Sequence, residues 1–156
     1  MVNDLWQLKI FCDGSNFVGR GSGAGVHIEK RMPPPETDYQ GFVNSWLPVA
    51  QFVVPLPSES TNNEAEYHAV IAALKFIEKQ PDNAIIYSDS QLVVRQINGE
   101  YRVKEPRLQI LHSQVTVLRG SIDAKIQFTH LPREDNEIAD HLARIGSMLS
   151  PLHSNG

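Results

Sequence analysis

Four consecutive apolar residues, Ala84-Ile85-Ile86-Tyr87, constrain the fold of this chain more than any other feature. They come shortly after Pro81 and lead into the polar residues Ser88-Asp89-Ser90. A short apolar run without polar alternation is typical of a strand covered on both faces, as in sheets with helices packed against them. The run therefore predicts a buried strand in a protein that combines helices with a sheet.

Hydrophobic periodicity and turn residues predict elements in the order β-β-β-α-β-α-α-β-α. Three strands close together favour an antiparallel meander, and the βα units after them imply a mixed sheet with helices packed on it. The predicted strands cover Leu5–Asp13, Ala24–Lys30, Leu47–Val54, Ala84–Tyr87 and Lys125–His130. The predicted helices run from the cap Thr61 to the stop at Pro81, and over Gln91–Ile97, Leu108–Leu118 and Asn136–Leu149.

Local signals predict where the helices begin and end. Thr61 followed three residues later by Glu64 matches a capping box. Ser90 and Asp135 are the predicted N-caps of two later helices, and Gly99 is expected to end the shorter one. The predicted core-facing stripe of the first helix is Tyr67, Val70, Ile71, Leu74 and Ile77.

Glycine and proline mark the predicted connections. The first strand is expected to end at Asp13 in a Gly-Ser turn, and the second to be entered through the glycine-rich residues 19–23. Residues 31–46 contain three consecutive prolines and are expected to form a long loop. Pro55 and Pro57 mark the predicted end of the third strand.

The composition fits one globular domain with a loose tail after Pro151. The chain has 156 residues, with 14 Lys+Arg and 18 Asp+Glu, and a net charge of −4 that argues weakly against holding nucleic acid by bulk charge alone. The sequence contains no run of 18 apolar residues, so no membrane span is predicted. The start Met1–Asp4 lacks the features of a secretory signal. A single cysteine, Cys12, excludes an internal disulfide and favours a reducing, cytoplasmic setting. A monomer is expected.

Four carboxylates stand at positions that local structure does not fully explain. Asp13 and Asp89 each end a predicted strand, where open α/β sheets bind ligands, although either one alone is typical of a turn. Glu66 shares the core-facing stripe with Val70, where a carboxylate is costly unless it is paired or binds a metal. The alternative for Glu66 is an edge position with access to water. Asp140 taken alone is typical of a solvated helix face.

Carboxylates that converge without basic partners repel one another, and divalent cations relieve that repulsion. Mg²⁺ prefers carboxylate oxygen and water, and it commonly leaves positions open for phosphate. Two such ions about 3.5–4 Å apart suit a phosphoryl displacement. If the four carboxylates meet, the pattern therefore indicates a metal site for phosphoryl chemistry. His130 ends the last predicted strand and by itself is typical of a polar strand end.

Four motifs follow one another along the chain: Asp13–Ser15, Thr61–Glu66, Ser88–Gln91 and His130–Asp140. In this order and spacing they resemble the type 1 ribonuclease H family. The resemblance implies a ribonuclease H-like α/β fold, with a five-stranded mixed sheet of order 3-2-1-4-5 and helices on both faces. It also implies a single domain over residues 1–150, followed by a short flexible tail, 151–156.

The resemblance implies roles for individual residues as well. The metal-binding, catalytic carboxylates would be Asp13, Glu66, Asp89 and Asp140, with two Mg²⁺ ions, or Mn²⁺, as cofactors. His130 would assist water activation or product release. The residues that match substrate-contacting positions are Gly14, Ser15, Thr61, Asn62, Asn63, Ser90, Gln91 and Asn136.

Residues 100–125 depart from many members of that family, which carry a basic, tryptophan-containing protrusion here. The segment has no tryptophan, and it holds five basic and three acidic residues. The chain therefore resembles the branch that lacks the basic protrusion. Weaker binding of the substrate is the expectation for that branch.

The implied activity is an endonuclease that hydrolyses the RNA strand of RNA–DNA hybrids by two-metal-ion catalysis. It would leave 5′-phosphate and 3′-hydroxyl ends, with little sequence specificity because sugars and backbone are contacted. One alternative is a catalytically weak nucleic-acid-binding module with the same fold, although all four carboxylates are present. Another is a DNA nuclease of the same superfold, which the residues Thr61–Asn63 and Asp89–Gln91 argue against.

Overall fold

The computed structural model describes residues 6–17, 21–32 and 45–151. The strands in these ranges are β1 (Leu8–Phe17), β2 (Gly21–Met32), β3 (Ser45–Leu56), β4 (Ala84–Ser88) and β5 (Ile126–His130). The helices are α1 (Asn62–Lys79), α2 (Gln91–Ile97), α3 (Pro106–Ser121) and α4 (Glu137–Met148). A 3-10 turn, Arg133–Asp135, precedes α4.

The five strands form one mixed sheet in the order β3-β2-β1-β4-β5, which confirms the predicted topology. The pairs β1–β2 and β2–β3 are antiparallel, whereas β1–β4 and β4–β5 are parallel. The carboxyl ends of β1, β4 and β5 therefore meet at one edge of the sheet. Side chains that follow these ends in sequence are brought together by the topology.

Helix α1 lies on one face of the sheet and carries the predicted core stripe. All five residues of that stripe are buried. The capping box is confirmed, because Thr61 Oγ1 accepts from the Glu64 amide at 3.1 Å and Glu64 Oε1 accepts from the Thr61 amide at 3.0 Å. The helix ends at Lys79, ahead of Pro81, which cannot continue it.

Helix α4 packs on the opposite face, against β1, β2 and β3. It approaches β2 so closely that a Cβ on Gly25 would lie 2.4 Å from the Ala143 backbone nitrogen. A Cβ on Gly23 would lie 2.3 Å from the Ser147 backbone nitrogen. The glycine-rich residues from Gly21 onward therefore belong to β2, because only positions without a side chain leave room for α4. The prediction that they precede the strand is wrong.

Strand β1 does not end at Asp13 as predicted but continues through Gly14 and Ser15 to Phe17. The reason is that residues 13–17 pair with residues 25–21 of β2, a partner that local turn signals do not reveal. The last pair between β1 and β4 is Cys12 with Ser88. Asp13 thus lies just beyond the parallel pairing while remaining inside an antiparallel ladder.

The strands β2 and β3 also extend into the predicted loop. Met32 pairs with Ser45 and Arg31 with Trp46, so both ends of the 31–46 segment are strand, and residues 33–44 lie outside the described residues. Pro55 lies within β3 rather than after it. A proline is tolerated there because β3 is an edge strand, whose outward side needs no ladder donor.

Strand β4 is fully buried on one face only. Ala84, Ile86 and Ser88 are buried, whereas Ile85 and Tyr87 are half-buried, so the prediction of burial on both faces is wrong for the second face. Helix α4 covers β1 to β3 and leaves that side of β4 partly open. The Tyr87 ring instead stacks on Phe11, with the ring centroids 5.1 Å apart.

Of the remaining helices, α2 matches its prediction, whereas α3 and α4 differ from theirs at the ends. Helix α2 has the predicted bounds, with Ser90 Oγ accepting from the Val93 amide at 3.3 Å, and Gly99 has a φ of +80° just beyond it. Helix α3 is longer at both ends than predicted. Asn136, rather than Asp135, is the N-cap residue of α4. No helix in the described part of the chain is long and apolar enough to cross a membrane.

Candidate active site

Three carboxylates from three separate elements meet at the carboxyl edge of the sheet. Asp13 comes from β1, Glu66 from the second turn of α1, and Asp89 directly follows β4. One carboxylate oxygen of each lies within 4.8 Å of the others. Asp13 is 1% exposed and Glu66 is 7% exposed. The structure thus brings together residues that are far apart in sequence and largely removes them from water.

Two hydrogen bonds fix the Glu66 carboxylate. The Gly14 amide donates to Oε1 at 2.9 Å, and the Ser88 hydroxyl donates to Oε2 at 3.3 Å. Ser88 Oγ in turn accepts from the Ser90 amide at 3.1 Å. Glu66 is therefore held by β1 and β4 at once, and the alternative of an edge position with access to water is wrong.

The two aspartates of the cluster each have an oxygen without a donor. Asp13 Oδ2 and Asp89 Oδ2 are buried and accept no hydrogen bond from the described residues. A buried carboxylate oxygen without a hydrogen-bond donor is costly, and Arg133 Nε, 3.8 Å from Asp89 Oδ2, is too far away to be one. Such a pair of oxygens therefore indicates a missing ligand. Closely spaced, hard oxygen donors fit a divalent cation of the Mg²⁺ type. The donor set and the geometry therefore suit a metal site.

The cluster is electrostatically strained without a cation. Burial raises the pKa of Asp13 far above its ordinary value, and the charges of Glu66 and Asp89 raise it further. Burial also raises the pKa of Glu66, although hydrogen bonds from Asp13 and Gly14 oppose the increase. The raised pKa of Asp13 favours a proton on this carboxyl group in the metal-free protein, which relieves the repulsion. A divalent cation would take the place of that proton.

Asp140 lies beside this cluster rather than within the group of three. It is half-buried in the first turn of α4 and within hydrogen-bonding reach of Asp13, so that it adds to the raised pKa of Asp13. Its other neighbour is Arg144, whose Nε lies 3.3 Å from Asp140 Oδ2. Asp140 is thus not simply a solvated helix residue, because one side of its carboxylate faces the cluster.

His130 is exposed at the end of β5. It pairs in register with Ser88 of β4, the residue that holds Glu66. The histidine is therefore at the same edge of the sheet as the carboxylates.

The predicted substrate contacts fall into two groups. Thr61, Asn62 and Gln91 are exposed at the starts of α1 and α2, and Asn63 is half-buried beside them. The other group is committed to contacts inside the protein. The Gly14 amide is bonded to Glu66, the Ser15 carbonyl accepts from Ser22 Oγ at 3.2 Å, and the Ser90 hydroxyl caps α2.

Asn136 does not fit its predicted role as a substrate contact, because it is buried, with 1% exposure. Its Nδ2 donates to the Cys12 carbonyl at 2.8 Å, which ties the start of α4 to β1 immediately before Asp13. The side chain is therefore not open to a substrate. Burial at this position results from the packing of α4 on the sheet, which the sequence around Asn136 does not reveal.

Sequence reasoning missed three residues that contact the carboxylates. Ser88 holds Glu66, Arg144 approaches Asp140, and Arg133 Nε lies 3.8 Å from Asp89 Oδ2. The spacing of Arg144 four residues after Asp140 is a known signal for an ion pair on a helix. No local signal links Arg133 to Asp89, because their contact depends on the tertiary fold.

A mixed sheet of order 3-2-1-4-5, with carboxylates from β1, α1 and the end of β4 meeting at one edge, defines the ribonuclease H-like class of protein. A family model described as reverse transcriptase-like matches residues 49–146, which is more than half of the chain. The chain therefore belongs to the reverse transcriptase-like family, whose fold is ribonuclease H-like.

Named relatives share this region. The chain is 38% identical over 85 residues to a bifunctional protein of Mycobacterium tuberculosis, covering 54% of this chain and 23% of that protein. It is 39% identical over 85 residues to ribonuclease HI of Halobacterium salinarum, covering 54% of this chain and 42% of that protein. The matches thus span less than half of the length of these relatives.

Solved structures match over nearly the whole chain. The N-terminal RNase H domain of the same Mycobacterium tuberculosis protein superimposes with a TM-score of 0.73 at 29% identity, covering 90% of this chain and 92% of that one. The LC11 RNase H1, solved in complex with an RNA/DNA hybrid, superimposes with a TM-score of 0.71 at 30% identity, covering 89% and 95%. These structural neighbours are type 1 RNase H domains.

Proposed function

We propose that this chain is a divalent-metal-dependent endonuclease that hydrolyses the RNA strand of RNA–DNA hybrids. The observation that carries the proposal is the cluster of Asp13, Glu66 and Asp89, with two buried oxygens that lack a donor. Relatives named ribonuclease HI and a similar structure holding an RNA/DNA hybrid support the same activity. We assign this activity to a single domain over residues 1–150, with 151–156 as a tail.

The residues proposed to hold the cofactor are Asp13, Glu66, Asp89 and Asp140. When bound, two Mg²⁺ ions, or Mn²⁺, supply positive charge that activates water and stabilises the leaving 3′ oxygen. Hydrolysis of this kind leaves a 5′-phosphate and a 3′-hydroxyl. The family resemblance and the acidic cluster support divalent metal chemistry, and Mg²⁺ is the cofactor we propose because it prefers carboxylate oxygen.

The chain's own residues contribute a preorganised site. Glu66 is held in one orientation by the Gly14 amide and the Ser88 hydroxyl, so no reorganisation of that carboxylate is needed during the reaction. The low exposure of Asp13 excludes bulk water from the inner side of the site. His130, exposed at the same edge, is assigned the transfer of a proton during water activation or product release.

Exposed residues next to the carboxylates are proposed to contact the hybrid. Thr61 and Asn62 precede Glu66 by about one helical turn, and Gln91 follows Asp89 by two residues. Polar side chains at these places suit the 2′-hydroxyl groups and backbone of a hybrid, which carry no base sequence. Cleavage with little sequence preference is therefore expected. The monomeric state and the cytoplasmic setting stay predictions.

The test is the cleavage of a labelled RNA–DNA hybrid beside duplex DNA and duplex RNA, each with Mg²⁺, with Mn²⁺ and with a chelator. The expected result is metal-dependent cleavage of the RNA strand of the hybrid alone, with 5′-phosphate product ends. Asp89→Asn should abolish it, whereas Asp123→Asn, the same change at an exposed position between α3 and β5, should retain it. Equal cleavage of duplex DNA, or full activity in Asp89→Asn, would contradict the proposal.

A hybrid that binds without being cut in any metal would instead favour the weak binding module. That outcome would also count against the proposed endonuclease. Binding and cleavage are therefore measured on the same hybrid, by fluorescence anisotropy in chelator and by product analysis in metal.

A further inference from the structure

Two arginines lie at the outer carboxylates of the candidate metal site. Arg133 Nε is 3.8 Å from Asp89 Oδ2, and Arg144 Nε is 3.3 Å from Asp140 Oδ2. The two residues belong to different elements, the 3-10 turn before α4 and α4 itself. Their side chains are 83% and 60% exposed, so both reach the carboxylates from the solvent side.

We infer that Arg133 and Arg144 are built-in counter-ions of this site, which occupy the outer carboxylates in the absence of metal and turn to substrate phosphates when metal binds. The inference rests on the proposed function and assigns roles to two residues that it does not use. It makes metal binding and hybrid binding mutually dependent, because the same two side chains take part in both.

The electrostatic reason lies in the charge of the cluster. One carboxylate oxygen each of Asp13, Glu66 and Asp89 lies within 4.8 Å of the others, and Asp140 on α4 adds to the raised pKa of Asp13. Positive charges at Asp89 and Asp140 lower the repulsion in the metal-free protein. The same charges oppose the entry of a cation, so metal affinity in the absence of substrate is lower than the carboxylates alone would provide.

The geometry allows the arginines to leave. A pair at 3.8 Å is a charge contact rather than a hydrogen bond, and a side chain that is mostly exposed loses little packing when it rotates. The guanidinium fork matches phosphate oxygens as well as it matches a carboxylate. A phosphate backbone at the site would therefore compete with Asp89 and Asp140 for the arginines and free these carboxylates for metal.

The first test measures the binding of Mn²⁺ alone to the metal-free protein, from the EPR signal of free Mn²⁺ at low ionic strength. Arg133→Gln and Arg144→Gln should each bind Mn²⁺ about two- to fivefold more tightly than the wild type. Arg133→Lys and Arg144→Lys, which retain the charge, should remain close to the wild type. Lys79→Gln removes the same charge at the far end of α1, about 20 Å along the helix from Glu66, and should not change the affinity.

The second test measures the binding of an RNA–DNA hybrid in chelator, where no cleavage occurs, as a function of salt. The double variant with Arg133→Gln and Arg144→Gln should bind the hybrid more weakly. The slope of log affinity against log salt should fall by about one for each arginine removed. Addition of a hybrid with a non-hydrolysable RNA strand should tighten Mn²⁺ binding in the wild type more than in the double variant, because the two events are coupled through these residues.

The outcomes separate the two proposals. A wild type that binds Mn²⁺ and cleaves the hybrid, with Gln variants that bind Mn²⁺ no more tightly, would overturn the counter-ion role and leave the proposed function intact. Unchanged hybrid binding in the double variant would equally overturn it. A wild type that binds no Mn²⁺ at millimolar concentration would overturn both, since the metal site itself would then be absent.

Discussion

The Gly14 amide donates a hydrogen bond to Glu66 Oε1 at 2.9 Å, which joins β1 to α1 across 52 residues of sequence. The contact demands a glycine. A Cβ at this position would lie 2.5 Å from the Glu66 backbone nitrogen and 2.6 Å from the Ala65 carbonyl carbon. Because both of these atoms are backbone, the neighbouring helix cannot move aside locally, and the position of Glu66 relative to Asp13 depends on Gly14.

Gly14→Ala should therefore separate β1 from α1 and displace Glu66. We expect a loss of about 1–3 kcal/mol in the free energy of unfolding, as for other overpacked sites, together with weaker Mn²⁺ binding. Urea unfolding and Mn²⁺ titration measure the two effects. Gly120→Ala is the matched control, since a Cβ there meets nothing within 4 Å and lies in helix α3, where alanine is favoured. A Gly14 variant as stable as that control would refute the prediction.

Glu66→Gln should abolish cleavage while retaining the fold. The amide keeps the size of the side chain and an acceptor for the Gly14 amide, and it removes a buried negative charge next to Asp13 and Asp89. In chelator the melting temperature should stay equal or rise, because repulsion within the cluster decreases. The increase in melting temperature on adding Mg²⁺ should disappear. Differential scanning calorimetry measures both melting temperatures, with the exposed Glu100→Gln as the control. A large drop of the melting temperature in chelator would indicate that Glu66 has a structural role instead.

The metal-free protein should lose stability as the pH rises from about 4 through neutrality. The pKa of Asp13 is raised in the folded state by burial and by its neighbours Glu66 and Asp89, so the folded form binds more protons than the unfolded form over this range. The free energy of unfolding therefore falls with increasing pH. Urea unfolding in chelator between pH 5 and pH 8 measures the slope.

Asp13→Asn removes the titrating group and should flatten that slope. Saturating Mg²⁺ should weaken or reverse it in the wild type, because a cation prefers the deprotonated carboxylates. The same slope in the wild type and in the variant would show that Asp13 does not titrate in this way.

Asn136→Ala should destabilise the protein by about 1–3 kcal/mol and lower kcat, since the Cys12 carbonyl would lose a buried donor beside Asp13. Asn98→Ala is a matched control. Its amide also donates to a backbone carbonyl, that of Phe128 at 3.2 Å, but Asn98 is exposed and the loss should be smaller. Chemical unfolding and steady-state kinetics on the hybrid measure the effects. Equal losses of stability and kcat in the two variants would show that the Asn136 hydrogen bond matters no more than that of Asn98.

Local patterns predicted most of the elements because their causes are local. The capping box of Thr61 and Glu64 and the apolar stripe of α1 involve residues three or four apart, and both are present. Helix α2 has the predicted bounds for the same reason, as Ser90 caps it. The strand order was predicted correctly because the four motifs resemble those of a family with this strand order.

The errors occur where a distant partner determines the outcome. Strand β1 continues past Gly14 because β2 pairs with it, and Gly21 and Gly23 belong to β2 because α4 lies against them. Asp135 is a good N-cap by type, yet α4 begins one residue later. For β1 and β2 the competing contact comes from an element that is remote in sequence, so no local window contains it. Asp135 is instead the last residue of the 3-10 turn Arg133–Asp135, which leaves Asn136 as the N-cap.

The sequence by itself determined which carboxylates this chain has, on which elements they lie, and that Glu66 faces the core. These facts depend on residue type and on helical or strand period, which act over a few residues. Only the tertiary structure decided that the Asp13, Glu66 and Asp89 oxygens lie within 4.8 Å of one another. It also decided that Asn136 is buried, that the Gly14 amide is bonded to Glu66, and that Arg133 approaches Asp89. The reason is physical: burial, pKa shifts and ion pairs depend on distances between atoms that only the packing of α1 and α4 on the sheet brings together.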